Sequence, residues 1–296
     1  MKPLELVGLE KLMSITSGSP DIKIGLIDGP VDIDHPDFSK EHILEISKTV
    51  HTGCKQDNSA PCIHGTLVAG ILCAKRESLA PSICPNCTLI IRPIFTETNT
   101  KKEYQPVATS KELIKAMIEC IDSGIRIINL SLILYQSFSN EEYILEEVLN
   151  YAAKRDVIVV AASGNQRVIG SSIITRHPWV IPVVACDNYA QPTYDSNMGH
   201  SIARRGLCAP GKGIISLSSR GHLSIFNGTS VATPFVTGTI ALLWSIFPDA
   251  SATEIKSAVI QSWKPMRQTI IPPLLNADET YKFLKGKLDI KTRRYI

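Results

Sequence analysis

The sequence predicts an α/β fold whose sheet is mostly parallel and carries helices on both faces. Short apolar runs that fit buried strands recur along the chain, and segments with helical periodicity separate them. Strands that alternate with helices in this way are typical of parallel sheets. No Gly/Ser-rich linker, repeat or break in composition divides the 296 residues. We therefore expect a single domain over residues 1–296, with a core at about 5–285 and a basic C-terminal tail at 285–296.

The first predicted strand leads into an acidic residue. It covers Ile22–Ile27 and is followed directly by Asp28, Gly29 and Pro30. Open parallel sheets usually place their active-site groups at the carboxyl ends of strands. In the loop that follows, we expect His35 to be a turn residue rather than a metal ligand.

The next predicted helix has a histidine at its start. His64 precedes the apolar segment Leu67–Ala74, which we expect to be helical with this histidine at its N-terminal edge. A lone histidine at that place is usually an ordinary helix-start residue. A turn is expected at Ala209–Gly211. The other predicted elements are strands at Ile43–Val50, Thr88–Phe95, Ile125–Leu134, Val157–Ala162, Val180–Cys186 and Ile214–Ser216, and helices at Ser110–Ser123, Glu141–Lys154 and Ser251–Trp263.

The stretch Asn227–Trp244 predicts a buried helix, because it is apolar on almost every side. Gly228 allows a sharp turn before it. Ser230 then lies in the first turn, at the positive end of the helix dipole, where backbone N–H groups lack helical partners. Two interpretations stay open at this point. Ser230 is either a nucleophile whose product carries developing negative charge or an ordinary N-cap of a core helix.

The composition narrows the classes of function. The chain is 44% hydrophobic and 20% charged, as globular proteins are. A net charge of +3 is too small to indicate a nucleic-acid partner, and the basic ending at 285–294 predicts a solvated tail. Threonines and a proline within Val231–Phe247 favour a buried helix over a membrane span. The N-terminal residues lack the apolar segment of a signal peptide, so we expect a cytoplasmic protein.

Eight cysteines are many for a reducing compartment. Cys54 and Cys62 bracket one short loop, and Cys84 and Cys87 form a CxxC pair. The spacing between the pairs is not a standard zinc signature. The CxxC pair also lacks the strand and helix context of thioredoxin-like redox motifs. We favour structural thiols or local disulfides, with a metal or redox role as the alternatives.

Three reactive side chains follow separate predicted elements, and an amide ends a fourth. They are Asp28, His64, Ser230 and Asn165. Acyl transfer by a serine needs these four roles: a nucleophile, a base, a carboxylate that orients the base, and a donor for the oxyanion. Spacing alone does not establish the roles, because any chain of this length contains Asp, His and Ser.

The local sequences around these residues are more specific. Together they resemble the subtilisin-like serine proteases (subtilases), in that family's order of Asp, His and Ser and over roughly residues 5–285. The matching segments are DGPVDIDHPDF around Asp28, HGTLVAG around His64, INLSL around Ser131, AASGN around Asn165, LCAPG around Pro210 and GTSVATP around Ser230.

The resemblance implies a three-layer subtilisin-like fold and a set of site residues. Asp28, His64 and Ser230 match the catalytic triad, and Asn165 matches the side-chain donor of the oxyanion hole, beside the Ser230 backbone N–H. The residues implied in substrate binding are Ser131, Leu132 and Ile133 on a strand that pairs with the substrate backbone, together with Ser163, Gly164 and Thr229.

The sequence departs from the common subtilase pattern in three ways. Gly29-Pro30 follows the aspartate where Ser/Thr-Gly is usual. This motif more closely resembles that of the cyanobactin-maturation proteases, which trim ribosomal precursor peptides. Ile133 and Leu134 replace glycines after the substrate strand, so we expect narrower pockets and restricted specificity. We also expect no prodomain before the catalytic segment, and therefore folding without one.

These features predict a cytoplasmic serine endopeptidase that acts on a precursor peptide or a narrow substrate set. One alternative is a macrocyclase or transpeptidase of the same branch. It is disfavoured because only 35 residues separate Asp28 from His64, which leaves little room for that enzyme's helical insertion. The other is a subtilase-fold protein that binds peptides without cutting them, which has no need of all four catalytic positions.

Cofactors and partners follow from the same resemblance. We expect a peptide or protein substrate, no nucleic acid and no membrane. No cofactor is expected to be required. Many subtilases hold structural calcium, but this sequence has no dense acidic loop motif, so calcium stays an open alternative. His177, which precedes Pro178, is expected either to touch substrate at the pocket wall or, more commonly for such a residue, to be structural.

Overall fold

The computed structural model describes residues 1–46, 54, 59–95, 107–134, 139–261 and 269–293. Numbered in chain order, the strands are β1 Lys23–Asp28, β2 Ile43–Glu45, β3 Thr88–Pro93, β4 Val107–Ala108, β5 Ile127–Leu130, β6 Ile133–Leu134, β7 Ile158–Ala162, β8 Val180–Cys186, β9 Leu207–Pro210, β10 Ile214–Leu217 and β11 Leu223–Phe226. The helices are α1 Pro3–Leu6, α2 Leu9–Ile15, α3 Ala60–Cys73, α4 Ser110–Asp122, α5 Ser139–Lys154, α6 Ile173–Arg176, α7 His200–Arg205, α8 Thr229–Ile246, α9 Ala252–Gln261 and α10 Ala277–Arg293.

A seven-stranded sheet forms the middle layer, in the order β2-β3-β1-β5-β7-β8-β9. Every neighbouring pair in it is parallel. The order reverses on either side of β1, so the carboxyl ends of β1, β5 and β7 lie side by side. In sheets of this kind, ligand sites form where those ends meet. The predicted α/β class is confirmed.

Helices cover both faces of the sheet. On one face, α3 and α8 pack together into a core with the strands, and on the other face α4 and α5 bury Leu113, Met117, Leu145 and Leu149. The α8 helix is buried nearly all round, which explains why its sequence shows no polar face. It is long and apolar enough to cross a membrane by length and composition, but 83% of that window is buried inside the protein.

Several element boundaries differ from the sequence prediction. The α3 helix begins at Ala60, four residues before His64, because the Ser59 side chain caps it and Pro61 fits its first turn. The predicted turn at Ala209–Gly211 is instead the end of β9, an edge strand of the sheet. The long strand predicted at Ile125–Leu134 breaks after Leu130.

The predicted basic tail overlaps the last helix. Residues 285–293 continue α10, which packs on α9 and α2, and the side chains at 285–290 are mostly exposed, as expected of a solvated segment. Leu284 is fully buried, and Lys11 of α2 makes an ion pair with Asp278 of α10 at 2.8 Å. The Ser251–Glu254 capping box is confirmed: the Glu254 backbone N–H donates to Ser251 Oγ and the Ser251 backbone N–H to Glu254 Oε2. The predicted helix end at Trp263 and part of Ile43–Val50 lie outside the described residues.

Candidate active site

The structure brings Asp28 and His64 into direct contact. Asp28 is the last residue of β1 and its side chain is fully buried. His64 lies in the second turn of α3, and its Nδ1 is 2.6 Å from Asp28 Oδ1. The same carboxylate oxygen accepts a hydrogen bond from the Gly29 backbone N–H. A carboxylate at Nδ1 holds the ring in the tautomer whose Nε2 can accept a proton.

Two glycines permit this contact, because the loop after β1 lies directly against the start of α3. A Cβ atom on Gly29 would lie 2.0 Å from the Pro61 carbonyl oxygen, and one on Gly65 would lie 2.4 Å from the Pro30 carbonyl oxygen. No side chain fits at such distances. Gly29 therefore has a steric role in this chain, where the common subtilase pattern has Ser or Thr.

The charge of Asp28 changes the basicity of His64. Burial by itself lowers the pKa of His64, but the negative charge and hydrogen bond of Asp28 outweigh it, so the pKa lies above the ordinary value of 6.5. A base with a raised pKa binds the proton of a nucleophile more tightly than an unperturbed imidazole does.

Ser230 lies in the first turn of α8, as the sequence predicts. Gly228 precedes the helix at φ +127°, a conformation that side chains other than hydrogen disfavour, and its N–H donates to the Gly211 carbonyl at 2.8 Å. The Ser230 backbone carbonyl accepts a hydrogen bond from the Ser131 hydroxyl at 2.9 Å. Within the described residues, no hydrogen bond joins the Ser230 hydroxyl to His64, and such bonds are often long without substrate.

Asn165 lies beside the start of the same helix. Its Oδ1 accepts the Thr229 backbone N–H at 2.9 Å, which fixes the amide plane and turns Nδ2 to the other side. Gly164, at φ +104°, donates its N–H to Thr229 Oγ1 at 3.2 Å. The backbone N–H of Ser230 is one of those that a helix leaves without an intrahelical partner. The Asn165 amide and the Ser230 backbone N–H thus both lie at the start of α8.

The predicted substrate-binding residues have different surroundings. Thr229 is fully buried, and both its hydroxyl and its N–H are engaged within the protein. The Ser131 hydroxyl also points inward. Ser163 is buried, and its Oγ has no hydrogen-bond partner in the described part of the chain. Direct contact of these side chains with a substrate stays a prediction.

The predicted substrate strand has a neighbour within the chain. Leu132 is buried, and Ile133 pairs in parallel with Val107 where β6 meets β4. One edge of this segment is therefore already hydrogen-bonded to the protein. Pairing of a substrate backbone with Ser131–Ile133 stays a prediction. Such pairing must use backbone N–H and C=O groups that are not already paired with β4.

The two other histidines considered in the sequence are structural. His35 accepts the Asp37 backbone N–H at Nδ1, and its Nε2 lies 3.2 Å from the His222 carbonyl, as expected for a turn residue. His177 is buried between α5 and α6, with Nε2 at 3.2 Å from Asn150 Oδ1 and Nδ1 accepting the Trp179 N–H. The interpretation of His177 as a structural residue is therefore the one that its contacts support.

Cys54 and Cys62 form a local disulfide at the start of α3, two residues before His64, and the other six cysteines are buried thiols, in agreement with the favoured interpretation of the sequence. Two polar groups near the site are not predicted from the sequence. Asn129 and Thr237 form a hydrogen-bonded chain that reaches Ser131. Both residues lie in apolar stretches of the sequence. A polar residue in such a stretch indicates only that its side chain has some hydrogen-bond partner, and not which one. Among the described residues, no group of three or more His, Cys, Asp or Glu side chains could hold a metal ion.

Known proteins of one family are similar to this chain in sequence. The sequence model of the subtilase family matches residues 19–281. The thermophilic serine proteinase of Bacillus sp. (strain AK1) is 30% identical over 253 residues, which cover 84% of this chain and 58% of that protein. Subtilisin E of Bacillus subtilis (strain 168) is 27% identical over 241 residues, covering 80% and 58% respectively. The chain thus spans somewhat more than half the length of these relatives.

Solved structures of peptide-maturation proteases are similar to this one. The prenylagaramide maturation protease PagA is 28% identical, with a TM-score of 0.80 and coverage of 94% of this chain and 98% of PagA. An S218A mutant of the protease domain of PatA is also 28% identical, with a TM-score of 0.81 and coverage of 91% and 97%. The PatG macrocyclase in complex with a peptide, at 20% identity, shares the fold. Because the family match spans most of the chain, this protein belongs to the subtilase family.

Proposed function

We propose that this protein is a serine endopeptidase that hydrolyses peptide bonds through an acyl-enzyme. The observation that carries the proposal is the 2.6 Å contact between Asp28 and His64, at the strand ends that border the first turn of α8. A fully buried carboxylate that accepts a hydrogen bond from the Nδ1–H of a partly exposed histidine is the arrangement that a general base of this kind requires.

The proposed reaction assigns one role to each of four residues. The Ser230 hydroxyl attacks the peptide carbonyl while His64 Nε2 takes its proton, and Asp28 stabilises the resulting imidazolium through Nδ1–H. The oxyanion accepts hydrogen bonds from Asn165 Nδ2 and the Ser230 N–H. His64 then protonates the leaving amine. A water molecule then attacks the acyl-enzyme, with His64 again as the base, and this hydrolysis releases the carboxylic acid and frees Ser230.

The proposed substrate is a ribosomal precursor peptide or another narrow set of peptides. Two observations support it: the similarity to the maturation proteases PagA and PatA, and the presence of Ile133 and Leu134 where the family usually has glycines. Isoleucine and leucine are bulkier than glycine, so we expect narrower pockets and a restricted set of substrates. No bound cofactor is part of the proposed chemistry.

The first experiment is labelling with a fluorophosphonate probe, followed by intact mass measurement. We expect one adduct on the wild-type protein and none on Ser230→Ala. The absence of an adduct on a wild-type protein that melts cooperatively would overturn the proposal and favour a peptide-binding role. A second measurement identifies the acceptor: hydrolysis adds one water to the products of each cut, whereas cyclisation of a released segment adds none.

A further inference from the structure

A proline removes one backbone hydrogen bond at the nucleophile. In an α-helix, the carbonyl of residue i accepts from the N–H of residue i+4. For Ser230 that residue is Pro234, which lies inside α8 and has no N–H. The carbonyl of the proposed nucleophile therefore lacks the i+4 donor that a regular α-helix supplies.

A side-chain hydroxyl from a different element replaces the missing donor. Ser131, which directly follows β5, donates from Oγ to the Ser230 carbonyl at 2.9 Å. Ser131 is only 1% exposed, so water does not compete effectively for this bond. The bond joins the reacting residue to the central strands of the sheet.

The direction of the Ser131 hydroxyl is set by two more buried residues. Thr237 Oγ1 donates to Asn129 Oδ1 at 2.8 Å, and Asn129 Nδ2 donates to Ser131 Oγ at 2.9 Å. Asn129 and Thr237 are both fully buried. Because Asn129 holds an acceptor site of the Ser131 oxygen, the Ser131 proton is left to point at the Ser230 carbonyl.

We propose that Ser131 is a positioning residue for the nucleophile, with Asn129 and Thr237 as the relay that orients it. This inference rests on the proposed function, since it concerns how Ser230 is held for attack. The relay begins at Thr237, seven residues after Ser230 on the same helix, and returns to it through β5. It therefore fixes the first turn of α8 relative to both the sheet and the rest of the helix.

The test is the second-order rate of fluorophosphonate labelling, which reports on Ser230 without requiring a known peptide. We expect Ser131→Ala to lower this rate about ten-fold, since small displacements of reacting groups have effects of that size or larger. The pH dependence of labelling should not change, because the contact between His64 and Asp28 remains. Ser131→Thr, which keeps the hydroxyl, should restore most of the rate.

A matched pair of variants on α8 separates positioning from general stability. Thr237→Val removes the first donor of the relay. Thr239→Val removes a hydroxyl that donates to the Phe235 carbonyl at 2.8 Å, is equally buried and lies outside the relay. Both should lower the melting temperature by similar amounts. Only Thr237→Val should slow labelling of the folded protein.

Pro234→Ala provides a double-mutant cycle. An alanine supplies the N–H that the Ser230 carbonyl lacks, so the Ser131 hydroxyl becomes redundant. In this background Ser131→Ala should lower the labelling rate by less than about three-fold, a non-additivity expected of residues that share one partner.

The outcomes distinguish the two proposals. A folded Ser131→Ala protein that labels at the wild-type rate overturns the positioning role and leaves the proposed function intact. If Ser131→Ala does not fold, equal labelling rates for Thr237→Val and Thr239→Val overturn it instead. No labelling of the folded wild-type protein overturns the proposed function and this inference with it.

Discussion

The two ends of α8 are held in different ways. At the N-terminal end, single hydrogen bonds join the backbone of Thr229 and Ser230 to Asn165 and Ser131. At the C-terminal end, Trp244 is 1% exposed, its Nε1–H donates to the Ala250 carbonyl, and the Arg126 guanidinium lies 4.7 Å from its ring centroid. The first arrangement fixes the position of a few atoms, and the second buries a large apolar area.

A cavity lies at the end of α8 that is far from Ser230. A cavity of about 250 Å³ lies at the C-terminal end of α8, beside Trp244, Arg126 and Asp156. The polar contacts that Ser230 chemistry needs are at the opposite end of the helix. In this protein, hydrogen bonds that join the backbone of Thr229 and Ser230 to side chains of other elements distinguish the reactive end of α8. We therefore expect substitutions at this end to change activity, and substitutions at the other end to change stability.

The largest expected effect is at the reactive end. Asp28→Asn should lower the labelling rate by about 10⁴-fold, the size of the loss when the corresponding residue is changed in another Ser-His-Asp protease, because the Asn amide can donate to Nδ1 of His64, which favours the wrong tautomer, and carries no charge to stabilise the imidazolium. The fold should be retained, since the amide has nearly the same shape. Labelling kinetics and a thermal melt measure both. A loss of less than ten-fold would contradict the assigned role of Asp28.

The pH dependence of labelling sharpens the same prediction. Only neutral His64 can accept the serine proton, so the rate should rise with pH through the pKa of His64, above 6.5. In Asp28→Asn the groups that raise this pKa are lost while burial, which lowers it, remains. The midpoint should therefore move to lower pH in the variant. A midpoint that does not move would mean that Asp28 does not set the basicity of His64.

At the C-terminal end of α8, we expect a substitution to lower stability and to leave the labelling rate unchanged. Trp244→Ala should reduce the free energy of unfolding by about 3–5 kcal/mol, because it removes a buried aromatic side chain and leaves a cavity. The labelling rate of the fraction that stays folded should equal that of the wild type. Urea denaturation and labelling at low temperature test the two parts. A large fall in labelling rate without loss of stability would break the comparison between the two ends.

At the reactive end of α8, Asn165→Ala should lower activity less than Asp28→Asn does. Removing one oxyanion donor should lower kcat by about 10²–10³-fold, as it does for the side-chain donor of subtilisin. Asn165→Asp is the matched control, because it keeps the acceptor for the Thr229 N–H and replaces the Nδ2 donor with a second, negatively charged acceptor oxygen. Both variants should be slow. An active Asn165→Asp enzyme would show that the Asn165 contribution is the contact with Thr229 rather than oxyanion binding.

Most of the fold could be predicted from the sequence because periodicity reports burial. The Val180–Cys186 strand and the α8 helix were predicted with almost the observed bounds. The strand Leu207–Pro210 is not predicted, because Pro210 and Gly211 together are typical of a turn. In the structure Pro210 is the last residue of an edge strand, a position where a residue without a backbone N–H is tolerated. The start of α3 was placed late because its first turn, with Pro61 and Cys62, has no helical pattern.

The candidate site could be predicted only as far as local motifs reach. Asp28, His64, Ser230 and Asn165 each lie in a recognisable segment. Contacts between residues far apart in the chain carry no such signal: Ser131 and Ser230 are 99 positions apart. Which polar groups meet is decided by how α8 packs on the sheet, and that requires the three-dimensional arrangement.

The smallest expected effect concerns the Cys54–Cys62 disulfide at the reactive edge. Removing it with Cys54→Ser and Cys62→Ala should cost about 2–3 kcal/mol of stability, the entropy of closing a loop of this length. The labelling rate should change little, because the contacts of Gly29 and Gly65 hold α3 against β1 independently of the bond. Urea denaturation of the variant and of the wild type, with and without reductant, measures the difference.

Alkylation and intact mass provide the control for the disulfide prediction. The six thiols are buried, and burial raises the pKa of Cys120 and Cys186 to about 12, so iodoacetamide should not modify the native protein. Denaturation should expose six thiols, and added reductant eight. Eight thiols without reductant, in protein isolated from its own cells, would mean that the bond does not form there. Because disulfides are rare in reducing compartments, that result would agree with the predicted cytoplasmic location, and six would argue against it.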